Sequence, residues 1–256
     1  MTDMNGGGAQ AAAELLIEAR ISGRIENFPE DCRPGSVEAV YAIQDAVASR
    51  LGPILGWKVG AANETATPIC APLLAGTLFD SPATLYPQAF TMRGMESEIA
   101  FRFGADLPPQ SKPYEKDQVM AAIETALPAI EINESRFRDP DTVDPLSKLA
   151  DNNLNGALVL GPPWAGWPGL VVAEQPVRMT FDDEIVFDHL GDNKAGDVIR
   201  LVVWMANHLG QRGHGLARGQ VITTGSWTGL RPAGPARRFS ARFPGIGEVN
   251  VAFGKA

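Results

Sequence analysis

One short stretch, residues 95–103, restricts the possible folds of this chain more than any other. It reads Met95-Glu96-Ser97-Glu98-Ile99-Ala100-Phe101-Arg102-Phe103. Met95, Ser97, Ile99, Phe101 and Phe103 share one face at period two, and Glu96, Glu98, Ala100 and Arg102 share the other. A helix would scatter those apolar side chains around its circumference, so the spacing predicts a β-strand with one face on a core. The same strand carries two carboxylates side by side. Neighbouring carboxylates repel and raise each other's pKa unless a cation lies between them.

A third acid, Glu131, lies in the apolar run Pro128-Ala129-Ile130-Glu131-Ile132. Burying a carboxylate there is expensive unless it is paired or bound to metal. Three carboxylates without a neighbouring His or Cys suit a hard cation with oxygen ligands, magnesium or manganese better than zinc. Spacing alone leaves a second reading open, in which Glu96 and Glu98 lie on a solvated sheet face.

The remaining chain predicts one α+β domain with an antiparallel-rich sheet and a helical N-terminal region. Residues 1–10 read as a disordered tail and 11–256 as the domain, with 11–55 its helical part. Helices are expected over 11–21, over 36–51 with Ser36 as N-cap, from about Pro113 to Leu127, and over 197–209. Strands are expected over 56–60, 129–133, 156–161 and 220–224. Residues 171–187 should form a strand pair turning at Asp182-Asp183, and 238–253 a hairpin turning at Pro244-Gly245. Residues 68–87 read as a Pro- and Gly-rich connection, and Pro128 as a breaker between the third helix and the next strand.

Composition narrows the function. A net charge of −8 provides no basic footprint for nucleic acid or an anionic membrane. No apolar run approaches the roughly 18 residues of a membrane span, and residues 1–10 do not resemble a signal peptide. Cys32 and Cys70 make neither a disulfide framework nor a zinc site. A cytoplasmic location is therefore expected, and the sequons at Asn63 and Asn133 are chance matches. With no Walker A loop and no GxGxxG after a strand, no nucleotide cofactor is expected. Thr224-Gly225-Ser226-Trp227 is not a nucleophile elbow. His189, His208 and His214 are scattered and read as core or surface residues.

Several motifs in order carry a resemblance. Gly56-Trp57-Lys58-Val59-Gly60, Glu96-Ser97-Glu98-Ile99-Ala100-Phe101, Pro128-Ala129-Ile130-Glu131 with Ser135-Arg136, Ala150-Asp151-Asn152-Asn153, and Gly219-Gln220-Val221-Ile222 before Gly225-Ser226 succeed one another along the chain. Together they resemble the 2-hydroxypentadienoate hydratase / 4-oxalocrotonate decarboxylase family of the fumarylacetoacetate hydrolase superfamily. The resemblance implies a mixed β-sheet roll with helices packed outside, assembled as a homo-oligomer or associated with a related pathway enzyme. It implies that Glu96, Glu98 and Glu131 hold Mg2+ or Mn2+, and that Lys58 takes part in proton transfer. It implies a small 2-oxo acid substrate of aromatic-compound catabolism, chelated through its carboxylate and keto oxygens. Arg136, Asp151, Asn152 and Ser226 are candidate substrate contacts. Alternatives are an Arg136–Glu134 ion pair and ordinary turn formation by Asp151 and Asn152.

The match departs after Gly60. The better-known hydratases carry a Thr-Ser-Lys-like run there and, further on, an Asp before a Gly. Here the chain reads Ala61-Ala62-Asn63-Glu64-Thr65, and Pro72-Leu73-Leu74-Ala75 precedes Gly76. The change bears on the handling of water more than on the metal ligands, with Glu64 as a possible substitute. Four readings follow: a hydratase of a 2-hydroxy-2,4-dienoate; a decarboxylase of a 2-oxo-3-enedioate, with Arg136 or Arg231 for the second carboxylate; a carbon–carbon hydrolase or keto–enol tautomerase; and a non-catalytic partner subunit.

Overall fold

The expected strand forms as β5 (Gly94–Phe103) near the centre of a large mixed sheet. In the computed structural model, which describes residues 6–255, that sheet also contains β1 (Ile54–Gly60), β2 (Ile69–Leu74), β3 (Leu78–Asp80), β6 (Ile123–Asn133), β7 (Asn155–Leu160) and β10 (Val221–Ser226). Their order is β2-β1-β10-β5-β6-β7-β3, and the short β11 (Arg231–Pro232) pairs with the start of β5. A second sheet runs β4-β13-β12-β8-β9, from β4 (Ala83–Leu85), β8 (Pro176–Phe181), β9 (Glu184–Leu190), β12 (Arg238–Phe243) and β13 (Gly247–Phe253). Its strands β12 and β13 pack against β6. The expected α+β mixed-sheet architecture is the observed one.

The two faces of β5 do different work. Met95, Ile99, Phe101 and Phe103 join the main core with helices α1 (Gly6–Ser22), α2 (Val37–Leu51) and α5 (Val198–Gln211). The other face is buried at Glu98 and Ala100 and half-buried at Glu96 and Arg102. Ala100 packs with Leu73, Leu127, Ala129, Leu158, Leu160 and Val221 in a separate apolar cluster. Cross-strand pairing explains this, since Ala100 lies opposite Leu127, Glu98 opposite Ala129, and Glu96 opposite Glu131. The carboxylates therefore stand at one end of an apolar floor.

Several local expectations require correction. Residues 1–5 of the expected tail lie outside the described residues, but from Gly6 onward the chain is already helical. Ala9, Ala12, Ala13 and Leu16 are buried, and packing on α2 carries the helix through its glycines. The helix expected to reach Leu127 is the short α3 (Lys116–Ala122), because Ile123 onward pairs with β5 along the whole of β6. Pro128 does not break that strand. Its carbonyl accepts from the Gly161 amide at 2.7 Å, so its missing N–H faces the same side, past the last β6–β7 register pair, Ala129–Leu160. The connection expected over 68–87 contains β2, β3 and β4. Pro72 is tolerated because β2 pairs with β1 alone, at the sheet edge.

Other expectations hold in outline. Ser36 caps α2, its hydroxyl accepting from the Ala39 amide at 3.2 Å. Asp197 caps α5, and Asp182-Asp183 turn with positive φ. The last short helix, α4 (Pro145–Ala150), leads into the functional site. His208 on α5 stacks on Trp204 at 4.4 Å and contacts Tyr41. Burial, then the nearby Arg212 cation, lowers its pKa to about 4. The folded state thus resists a proton that the unfolded chain accepts. The contribution of His208 to stability is complete above pH 6.5 and is lost as pH falls from there toward 4. Solvent reaches part of the ring, so the loss is on the order of 1 kcal/mol. His208→Gln should flatten thermal stability against pH in that window; an unchanged slope would assign the loss elsewhere.

Candidate metal centre

Glu96 and Glu98 project from one face of β5 by the period of the strand, and β6 brings Glu131 directly opposite Glu96. One carboxylate oxygen from each lies within 4.8 Å of the others. Glu131 is fully buried and Glu98 nearly so, while Glu96 is half-buried at the edge of the apolar floor. Lys58 reaches the group from β1, donating to both Glu131 oxygens at 2.6 and 2.8 Å.

Each carboxylate has a neutral partner. Asn133 Nδ2 donates to Glu96 at 2.9 Å, Asn155 Nδ2 to Glu131 at 2.8 Å, and the Thr223 hydroxyl to Glu98. None of these three partners is among the site residues expected from the sequence. Asn133 sits two residues after Glu131 on the same strand face and so carried a period-two signal; Asn155 and Thr223 carried none.

Burial, reinforced by Glu131 and Glu96, pushes the Glu98 carboxyl well above the usual carboxylate range. Burial also raises Glu131, with Lys58 opposing it. For Lys58, burial favours loss of the proton, but the surrounding carboxylates outweigh it and the ammonium is held above its ordinary pKa. Three acids thus face one ammonium, and the excess negative charge is buried. An all-oxygen donor set with that excess fits a hard dication.

Lys58 has a third acceptor, the Asn153 carbonyl at 3.0 Å. That carbonyl belongs to a left-handed turn in which Asn152, Asn153 and Leu154 have φ of 48°, 47° and 62°. Three successive non-glycine residues in this region cost on the order of 1–2 kcal/mol each. The turn is held at its start by Asp151 and Arg136. The Arg136 guanidinium pairs with the Asp151 carboxylate and donates to the carbonyls of Asp151 and Asn155, at 2.6 and 2.8 Å. Asp151 also accepts from the Arg136 amide and the Ser135 hydroxyl. The alternative Arg136–Glu134 pair does not form; Glu134 pairs with Arg24 instead. Arg136, Asp151 and Asn152 are committed to this buried turn. Asn152 donates to the Pro72 carbonyl across 3.4 Å.

Ser226 is placed differently. The β10–β5 register shifts between Thr223 and Ser226, with Gly225 at φ 86°, and Ser226 lines a cavity of about 450 Å3 that includes Glu96. Lys194 and Arg231 line it too. Arg231 Nε donates to the Thr228 carbonyl, and its guanidinium lies 5.2 Å from the Phe187 ring centre. Lys194 went unnoticed in the sequence, because its loop meets β10 only through tertiary folding. Glu64 is exposed beside Gly196 and does not line this cavity.

Several known proteins are similar to this chain. A 2-hydroxyhexa-2,4-dienoate hydratase of Comamonas testosteroni is 32% identical over 163 residues, 62% of this chain and 59% of that one, so the chain spans little more than half the length of that relative. The TodF product hydratase of Pseudomonas putida strain F1 is 28% identical across 98% of this chain and 97% of its own. The solved structure of 4-oxalocrotonate decarboxylase from Pseudomonas putida G7, complexed with magnesium and adipate, superposes with a TM-score of 0.83 at 23% identity, over 99% of this chain and 100% of that one. It establishes the shared fold. No helix among the described residues is long and apolar enough to cross a membrane. Residues 62–253 match the family described as fumarylacetoacetate (FAA) hydrolase C-terminal, and the chain belongs to that family.

Proposed function

We propose that this chain is a divalent-metal-dependent lyase, a hydratase of a small 2-hydroxy-2,4-dienoate, with Glu96, Glu98 and Glu131 as ligands to magnesium or manganese. The observation that carries the reading is the convergence of three carboxylates on one buried ammonium. The hydratase relatives and the magnesium in the decarboxylase structure support it. When bound, the dication supplies Lewis acidity, polarising the C2 carbonyl of a 2-oxo acid.

The chain's own residues do the rest. Lys58 Nζ, held by Glu131 and the Asn153 carbonyl, keeps a proton at the edge of the carboxylate group and exchanges it with the dienol carbon. Asn133, Asn155 and Thr223 orient the carboxylates, and the apolar floor keeps water from beneath them. Ser226 contacts substrate from the cavity wall. Arg136 and Asp151 act as positioning residues through the turn that carries Asn153.

Arg231 and Lys194 favour a second reading, decarboxylation of a 2-oxo-3-enedioate, because two cations beside Glu96 suit a second substrate carboxylate. One experiment separates the two. Magnesium-loaded protein is given 2-hydroxypenta-2,4-dienoate, with dienol absorbance followed, and 2-oxo-3-hexenedioate, with carbon dioxide followed. Turnover of the first supports the hydratase, and of the second the decarboxylase; turnover of neither rejects both. If the dioate is the substrate, Arg231→Met should raise its KM by about tenfold or more. An unchanged KM would remove Arg231 from recognition.

Residues 11–256 act as one catalytic domain in this proposal. Free buried Cys32 and Cys70 accord with a reducing cytoplasm. The exposed Ile185 and Leu190 on edge strand β9 accord with homo-oligomeric assembly.

A further inference from the structure

Beyond the metal centre, past the end of β6, lies a second cavity of about 800 Å3 that shares no lining residue with the first. Its walls include Arg20, Arg24, Phe79, Leu85, Phe90 and Arg136. The charges do not balance. Arg24 is paired with Glu134 and Arg136 with Asp151. Arg20 has no ion pair and no hydrogen bond among the described residues, and its Nε is buried. Among the described residues three guanidiniums therefore meet two carboxylates, and one cation remains over. Burial and the neighbouring Arg136 lower its pKa to about 9, a sign of how poorly it is solvated and balanced.

Arg20 as a whole is half-buried, but its Nε is buried without a partner; such an N–H is costly to leave unpaired, and a ligand anion relieves it. The excess of one charge sets the ligand's charge at one. The apolar side chains around it set the rest of the ligand. Leu85 and Phe90 are buried and Phe79 half-buried, so the wall suits hydrocarbon better than a second charged group. The volume falls within the range of small-molecule sites. The mouth is open, with Ile21 and Tyr86 both exposed on the lining.

We propose that this cavity is a second binding site, for a small monocarboxylate with an apolar body, whose carboxylate pairs with Arg20 while its hydrocarbon lies against Phe79, Leu85 and Phe90. It is separate from the metal centre and does not depend on the activity assigned there.

The test is calorimetric titration of hexanoate into the full chain loaded with magnesium, with oxalate saturating the metal centre. One saturable hexanoate site per chain is expected. Arg20→Met should weaken it at least about tenfold, with thermal melting used to verify folding. Ala89→Trp, which fills the cavity from an exposed lining position, should block it without touching any charge. Wild-type affinity in either folded variant overturns the proposal, as does the absence of saturable binding in the parent chain. A second copy closing over Ile21 and Tyr86 would overturn it too; it would appear as an oligomer that Tyr86→Ser dissociates and that takes up no hexanoate.

Discussion

Lys58→Met is expected to lower kcat by about 10²–10⁴ while metal affinity stays within a few-fold of the parent. The side chain donates to both oxygens of Glu131 and to the Asn153 carbonyl, and it is the ammonium that faces all three acids. Methionine keeps most of its length and apolar stem but carries no proton. The carboxylates remain, so the dication still has its oxygen donors and loses a competing cation. Turnover and metal titration on the same preparation check the split. An unchanged kcat would take Lys58 out of the chemistry, and lost metal binding would make its role structural.

Glu131→Gln should have the largest combined effect, abolishing metal-stimulated turnover and lowering stability by about 3–5 kcal/mol. The stability term arises because Glu131 is fully buried and its loss strands the Lys58 ammonium beside Glu98. Glu96→Gln provides the control. Glu96 is half-buried and its partner there is the Asn133 amide, so the variant should lose metal-stimulated turnover with much less loss of stability. Denaturant unfolding of both, with and without magnesium, reads the difference. Near-parental rates in both variants would defeat the ligand assignment.

The site was legible in the sequence wherever its chemistry followed the local period. Glu96 and Glu98 declared themselves because a strand puts every second residue on one face, and Glu131 because a carboxylate inside an apolar run needs a partner. What local pattern missed depends on where other strands end. Pro128 looks like a breaker until β7 is seen to stop beside it, so that no ladder bond is lost. Pro72 and its neighbours look like a loop until β1 lines up with them. Alternation also left the Glu face of β5 open to a solvated reading, because burial there comes from side chains of β2, β6, β7 and β10. Arg136 was read as a substrate contact or as the partner of Glu134. Its true partner, Asp151, is brought to it by the left-handed turn, which propensity does not foresee. Lys194 and Arg231 share a cavity because a loop and the short β11 meet there.

With Glu96, Glu98 and Glu131 as the proposed ligands, the direct pairing of Glu96 with Glu131 would tie the correctness of the sheet to the presence of the ion. Slipping β5 by one residue against β6 sends Glu96 and Glu98 to the opposite side and dissolves the donor set. A dication that binds only the proper alignment stabilises that alignment alone. On the proposed ligand set it would thereby act as a proofreader during maturation, and refolding in magnesium should yield more correctly assembled chains than refolding in chelator.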